Sequence, residues 1–389
     1  MSEWKEYKLG EIAEIVGGGT PTTSNPEYWG GDIPWLSPKD LTGYKKIYIS
    51  HGERNITESG LMNSSAKMMP KGTVLFSSRA PIGYVAIAKN PVCTNQGFKS
   101  FVCRQDKVLN LFLYYWLKNN VEYFQSLGTG TTFAEISGSA MRDIEISLPP
   151  INVQKRIAGV LSSLDDKIDL LHRENATLEA LAETLFHHYF IENPNPEWKE
   201  GNIADVVDFN PARKLGKGEK APYVEMANIG TNGYAPSSWR IRPFQSGTKF
   251  INGDALMARI SPCLENGKAA YVDFLEREQV GWGSTEFIVM RSKLGIHPFF
   301  VYVLSKYDDF RDHAVSSLVG SSGRQRVDLD NLIKYPFIIP DKQAIELFNH
   351  ELNTIFPKIQ NNQKQIHTLT AQRDTLLSRL MNGEVNVVE

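Results

Sequence analysis

The chain has few cysteines. Cys93, Cys103 and Cys263 are odd in number and lack metal-ligand spacing, which excludes a disulfide framework and a cysteine-built zinc site and leaves free thiols as the expectation. Long apolar runs are missing too: Leu111 to Leu117 is among the longest, far short of a membrane span. The charged opening, Met1 to Gly10, has no leader pattern, so a cytoplasmic protein is expected, with no membrane partner. Charge of one sign is also lacking. Net charge is −2; residues 1–150 carry 15 Lys and Arg against 14 Asp and Glu, and residues 197–340 carry 18 against 17. No domain-wide basic stripe is present, so any grip on nucleic acid must come from local loops or a partner.

Catalytic signatures are equally sparse. Gly17, Gly18 and Gly19 precede Thr20-Pro21, where a phosphate cradle would need Lys-Ser or Lys-Thr, or a helix N-terminus. Asn25-Pro26-Glu27-Tyr28 approaches the Asn/Asp-Pro-Pro-Tyr tetrapeptide of amino-methyltransferases, but Glu27 stands where the second proline belongs and no methyl-donor motif precedes it. An ordered loop is the better reading. His187-His188 lacks a carboxylate or Cys at ligand spacing, His51-Gly52-Glu53 has no Pro-Cys-x-x-Cys behind it, and Pro340-Asp341 lacks the Glu-x-Lys of a nuclease core. No metal site and no cofactor site is expected in this chain.

What the chain does contain is itself, twice. Glu3-Trp4-Lys5-Glu6 recurs as Glu197-Trp198-Lys199-Glu200, IPWLSPKDL at 33 as APYVEMANI at 221, GTVLFSSRAP at 72 as GDALMARISP at 253, and LNLFLYYWL at 109 as IHPFFVYVL at 296. An offset of 191 relates Leu148-Pro149 to Ile339-Pro340 and Thr184-Leu185 to Thr375-Leu376. Each copy runs from a mixed domain rich in short strands, glycine and aromatics, through a proline-marked boundary, into a long helix. The expected segments are 1–150, a helix over 151–194, a second mixed domain over 195–341 and a second helix over 342–389.

The helices carry unbroken 3,4 spacing. Leu161, Leu164, Ile168, Leu171, Asn175, Leu178, Ala182 and Leu185 form one seam, and Leu352, Ile355, Ile359, Asn362, Ile366, Leu369, Arg373 and Leu376 the other, the pattern of a coiled coil. Asn175 and Asn362 are not repeat equivalents, since the offset maps Asn175 onto Ile366. A parallel pairing at that offset would bury each amide against Leu or Ile. An antiparallel pairing places Asn175 opposite Asn362 in one central layer and pairs apolar residues elsewhere, except Leu164 with Arg373, whose stem is expected to snorkel outward. The predicted class is α+β: two tandem mixed α/β domains and two long helices in an antiparallel coiled coil, with an internal pseudo-twofold.

GGTPTTSNPEYWGGDIPWLSPKDL, LFSSRAPIG, LPPINVQKRIAGVLSSLDDKI and GSSGRQRV resemble recurring segments of type I restriction-modification specificity subunits, and the likeness runs over the whole chain. The second copy departs from the pattern at Ala221–Ile229 and in lacking a second proline after Pro340. The resemblance implies a non-catalytic subunit whose two target recognition domains each read half of a split double-stranded DNA site, with the helices as a ruler. About 30 helical residues span roughly 45 Å. It also implies two methyltransferase subunits that hold the S-adenosylmethionine, and restriction-translocase subunits for cleavage. The candidate DNA contacts are Ser77, Ser78 and Arg79 with their counterparts Arg259 and Ser261, and a second pair of loops holding Thr129, Thr131 and Thr132 in one copy and Ser321, Ser322, Arg324, Gln325 and Arg326 in the other. Arg can meet guanine bidentately and Ser can reach phosphate or base; equally, Arg79 and Arg259 could brace their own loops. Arg213, Lys214, Lys217 and Lys220 are candidates for phosphate. The alternative reading of the whole chain is a coiled-coil scaffold that reads no DNA.

Overall fold

The computed structural model describes residues 4–79, 81–129, 134–192, 194–321 and 323–385. It divides into two compact units: Met1–Asp169 with Thr368–Glu389, and Leu170–His367.

In unit 1, a five-stranded sheet has the spatial order Ala13–Gly17, Phe98–Cys103, Val74–Ser77, Val85–Ala88 and Tyr48–Ile49. Val74–Ser77 is central and buried at every residue, as expected of a continuous apolar run covered on both faces. Gly72 turns the chain into it at φ 90°, a left-handed conformation that glycine adopts without steric cost. A three-stranded sheet, Arg54–Ile56, Trp29–Leu36 and Cys93–Thr94, pairs its last two strands in parallel. The helix Asn110–Asn119 lays Phe112, Leu113, Tyr115 and Leu117 into the core, where Ile157, Leu161, Leu377 and Leu380 from the long helices also lie.

Unit 2 follows the same plan. Val207–Phe209, Phe287–Ser292, Ala255–Ala258 and Ala269–Tyr271 form one sheet in that order, and Arg240–Pro243, Lys220–Val224, Gly281–Gly283 and Thr248–Phe250 form another. The buried strand Ala255–Ala258 is again entered through a left-handed glycine, Gly253 at φ 89°.

The long helices span Ile151–His187 and Lys342–Met381. Gln154 explains the first helix start: its buried side chain donates to the Pro149 and Lys107 carbonyls and accepts from Leu109 N. At the second start Asp341 stands in place of the second proline and caps the helix by accepting from Ala344 N at 2.8 Å, so the departure replaces a preset φ with a side-chain cap. Every described seam residue is buried or half-buried. Asp165 meets Arg373 within unit 1 and Asn175 meets Asn362 within unit 2; as one helix advances the other retreats, so the pairing is antiparallel. Asn362 Nδ2 donates to Asn175 Oδ1 at 3.0 Å and Asn175 Nδ2 to the Ile359 carbonyl at 3.2 Å. Arg373 departs from its expected outward course: it turns to Asp165 at 2.6 Å with only 15% of its side chain exposed, because a buried carboxylate offers it more than water does.

Candidate nucleic-acid interface

In unit 1 the strands Trp29–Leu36 and Cys93–Thr94 run parallel, so the turns that leave them, Ser37-Pro38-Lys39 and Asn95-Gln96-Gly97, emerge side by side. Arg79 arrives from the end of the buried strand Val74–Ser77. Together they line an open cleft of about 540 Å³ with Thr42 and Pro81. Asp40 accepts from Ser37 N and Oγ, and Asn95 Oδ1 accepts from Gly97 N, so both turns are rigid. Lys39 is held by Glu53 at 2.8 Å. Gln96 is exposed; its Oε1 accepts from Thr20 Oγ1 at 2.6 Å, which leaves its amide donors pointing elsewhere.

The glycine loop that precedes this cleft has a clear structural purpose. Gly19 N donates to the Thr94 carbonyl and Trp35 Nε1 to the Gly19 carbonyl. A Cβ on Gly18 would lie 2.3 Å from Thr94 O, and one on Gly19 2.3 Å from Ser65 Oγ. The glycines let the loop lie flat against the turn that carries Gln96. Asn25 caps the short helix Pro26–Tyr28, and Trp29 packs edge-on against Trp35 under the Arg54 guanidinium. This stretch is a scaffold.

The predicted contact residues divide sharply. Ser77 and Ser78 are fully buried: Ser77 Oγ donates to the Pro81 carbonyl and accepts from Tyr84 N, and Ser78 Oγ donates to the Gly97 carbonyl. They lock the loop and present nothing outward, contrary to the expectation that they reach DNA. Arg79 is half-buried at the cleft, and its backbone bridges Glu135, itself paired with Lys99 at 3.3 Å. Thr129 is exposed, and its backbone bridges Glu135. Thr131, Thr132 and Ser322 lie outside the described residues.

In unit 2 the same main-chain frame carries other side chains. Ser78 N donates to the Gly97 carbonyl and Ile136 N to the Ser78 carbonyl; Arg259 N donates to the Glu286 carbonyl and Val327 N to the Arg259 carbonyl. Ser78 therefore corresponds to Arg259, and Arg79 corresponds to Ile260, the same register that pairs GTVLFSSRAP at 72 with GDALMARISP at 253. The turn Ser284–Glu286 repeats Asn95–Gly97, with Ser284 Oγ accepting from Glu286 N. Arg259 Nε donates to the Val327 carbonyl and so braces its loop. Ser261 Oγ donates to Glu265. Arg326 grips Glu286 bidentately, at 2.7 and 2.9 Å. Ser321 and Arg324 are exposed on the hairpin joining Leu318–Val319 to Arg326–Val327, with Gln325 half-buried beside them. Among the described residues the Arg324 guanidinium has no ion-pair or hydrogen-bond partner. Arg213, a candidate for phosphate, turns inward to the buried Asp254, while Lys214, Lys217 and Lys220 are exposed.

Each domain is seated on the helices by one tyrosine. Tyr115 donates to Asp165 at 2.8 Å in unit 1, and Tyr302 to Glu179 at 2.8 Å in unit 2. Burial pushes the Glu179 carboxyl above its ordinary value, opposed by that hydrogen bond, and pushes the Cys93 and Cys103 thiols up to about 11 and about 12, which suppresses thiolate chemistry. Among the described residues no cluster of three or more His, Cys, Asp or Glu is placed to hold a metal ion, and no helix is long and apolar enough to cross a membrane.

Two rigid loop sets on a duplicated frame, joined to paired long helices, define a recognition protein built in tandem, and comparison with known proteins gives the family. The model of the type I restriction modification DNA specificity domain matches residues 1–180 and again 195–372, so the chain belongs to the type I restriction-modification specificity family. The MjaIX specificity subunit of Methanocaldococcus jannaschii is 36% identical over 417 residues, covering 100% of this chain and 94% of that one. The EcoR124I/EcoR124II specificity subunit of Escherichia coli is 32% identical over 42% of this chain and 41% of its own length. The crystal structure of the type I system S subunit from M. genitalium shares the fold at a TM-score of 0.57 and 18% identity, covering 97% of this chain and 96% of that chain. These relatives support DNA specificity over the scaffold reading.

Proposed function

We propose that this chain reads DNA and catalyses nothing, each domain contacting one half of a bipartite duplex site while the antiparallel helices set the spacing and seat two methyltransferase subunits. S-adenosylmethionine belongs to those partners, and restriction-translocase subunits join for cleavage, in the cytoplasm. The observation that carries this is the twice-built loop frame: identical main-chain bonds hold different polar side chains outward, which suits two readers of different half-sites. In unit 1 the readers are Arg79 and Gln96, with Lys39 beside them; in unit 2 they are Arg324 and Arg326, with Gln325 and Ser321. Thr129 in unit 1 and Ser261 in unit 2 are further contact candidates. The Asn175–Asn362 layer fixes helix register, as single buried amides do in other coiled coils.

The test is to incubate the purified chain, alone and with its methyltransferase, with labelled S-adenosylmethionine and DNA. Methyl transfer is expected only with the partner. Transfer by the chain freed of all methyltransferase contradicts the proposal.

A further inference from the structure

The second sheet of unit 2 ends in a strand, Arg240–Pro243, that among the described residues pairs only with Lys220–Val224 and is exposed at all four residues. Arg240 stands opposite Tyr223 and pairs with Glu225, at the end of the sheet where the Ser284–Glu286 turn emerges; Lys220 stands opposite Pro243 at the other end. Beyond Lys220, a loop carrying Lys214 and Lys217 is tied to the sheet: Gly218 N donates to the Phe244 carbonyl, Phe244 N to the Glu219 carbonyl, and Lys249 Nζ to the Leu215 carbonyl at 3.0 Å. The positive charges therefore sit on ordered backbone.

Residues 211–249 hold seven Lys and Arg against two Asp and Glu, whereas the equivalent stretch of unit 1, residues 23–68, holds five against five. Arg213 and Lys249 are spent internally, and Glu225 partly offsets Arg240 and Arg242. Lys214, Lys217 and Lys220 are exposed and, among the described residues, have no carboxylate partner. We infer that this edge is a rail for the DNA backbone, so that unit 2 supplies most of the sequence-independent, salt-sensitive grip and unit 1 almost none from the same part of its fold. The rail rests on the DNA-reading function proposed above. Its four-residue strand covers about 13 Å, and one DNA strand presents a phosphate every 3.4 Å of axis, so about four phosphates pass along it. Charge complementarity selects DNA over a neutral partner surface, and an acidic protein partner is the competing occupant.

The rail can be tested without knowing the recognised sequence. Binding of the full chain to a random-sequence 30-bp duplex is followed by fluorescence anisotropy across a salt series. The triple variant Lys214→Gln, Lys217→Gln, Lys220→Gln should lower the slope of log K against log salt by about 3, near 0.9 for each lost phosphate contact. Lys45→Gln, Lys46→Gln, Lys67→Gln, an equal charge change at exposed sites of unit 1, should lower it by less than about 1, and Lys→Arg at the three rail positions should preserve it. Thermal melting checks that all variants fold. Equal slopes from the two Gln triples would mean diffuse charge and overturn the rail. Wild-type binding with an unchanged slope in the rail variant would overturn it too, pointing to an acidic protein. A wild-type chain that binds no duplex at low salt would overturn both the rail and the DNA-reading function.

Discussion

Unit 1 and unit 2 hold the same hydrogen-bonded loop frame with its charges rearranged. Where unit 1 has Arg79, Glu135 and Gly97, unit 2 has Ile260, Arg326 and Glu286, yet the main-chain bonds at Ser78 and Arg259 are the same. Ser37 and Lys39 give way to Glu225 and Ala227 on equivalent turns, each closed by its own capping box. The seating is also shared in form and different in charge: Tyr115 meets an ion pair, Asp165 with Arg373, and Tyr302 meets Glu179. The lesson is that backbone bonds and buried serines or tyrosines carry the frame, which leaves the outward side chains to vary with the sequence being read.

The largest way to break the comparison is to remove one copy. A fragment ending near Asn195 loses Leu377, Leu380 and Met381, all buried in the core of unit 1. Their exposure costs several kcal/mol, roughly 1.5–3 for each side chain. The 191-residue offset puts Phe186, Tyr189 and Phe190 of a second fragment in those places, so light scattering should find a dimer. With methyltransferase added, methylation mapping should give an inverted repeat of one half-site. A stable monomer, or an asymmetric site, would contradict the equivalence of the copies.

Next comes the seating of unit 1. Asp165→Ala removes the Tyr115 acceptor and one of the two carboxylates on Arg373, whose guanidinium keeps Asp374 at 2.6 Å, so a loss of about 2–3 kcal/mol is expected in denaturant melts. Tyr302→Phe in unit 2 should cost less, about 1–2 kcal/mol, because Glu179 keeps the Tyr234 backbone N–H and the nearby Lys306 charge.

Acid should separate the units further. His297 Nδ1 accepts from Phe299 N at 3.1 Å, and burial pushes its pKa down to about 4; the equivalent residue of unit 1 is Asn110, which does not titrate. A base whose folded pKa lies below its unfolded value stabilises the fold above pH 6.5 and loses that contribution as pH falls toward 4. The loss is on the order of 2–3 kcal/mol. Hydrogen exchange at pH 7 and pH 5 should show unit 2 loosening selectively, and His297→Asn should remove the difference. Equal loosening in both units would assign acid lability elsewhere.

The effects at the readers fall on binding and leave the fold intact. Arg324→Ala or Arg79→Ala should weaken specific binding by about 1–3 kcal/mol and relax one position in one half-site. Loss that is uniform across sequences would reassign that arginine to phosphate.

The architecture was legible because it rests on periodicity and duplication. The 3,4 spacing over Leu161–Leu185 and the mismatch of Asn175 with Ile366 were enough to set helix direction, since a buried amide needs a partner. The site was only partly legible. Ser77 and Ser78 read as exposed turn residues, but a serine can satisfy itself inside a loop. The arginine of each loop and its one-residue shift were visible in GTVLFSSRAP and GDALMARISP, while the bracing of Arg259 against Val327 depends on a segment remote in sequence that no local pattern displays. Lys39 and Gln96 went unnoticed because two parallel strands remote in sequence bring their turns together. The basic cluster Arg213, Lys214, Lys217 and Lys220 was legible as a local run in a segment that is near neutral as a whole, while Arg240 and Arg242 join it only through strand pairing.

The central claim is that two independent readers share one chain, and the most direct measurement is genome-wide methylation mapping of cells carrying the chain with its methyltransferase, wild-type against Arg324→Ala. A bipartite motif is predicted for the wild type, with a single position relaxed in one half and the other half untouched in the variant. A contiguous motif, or a change in both halves at once, would contradict it.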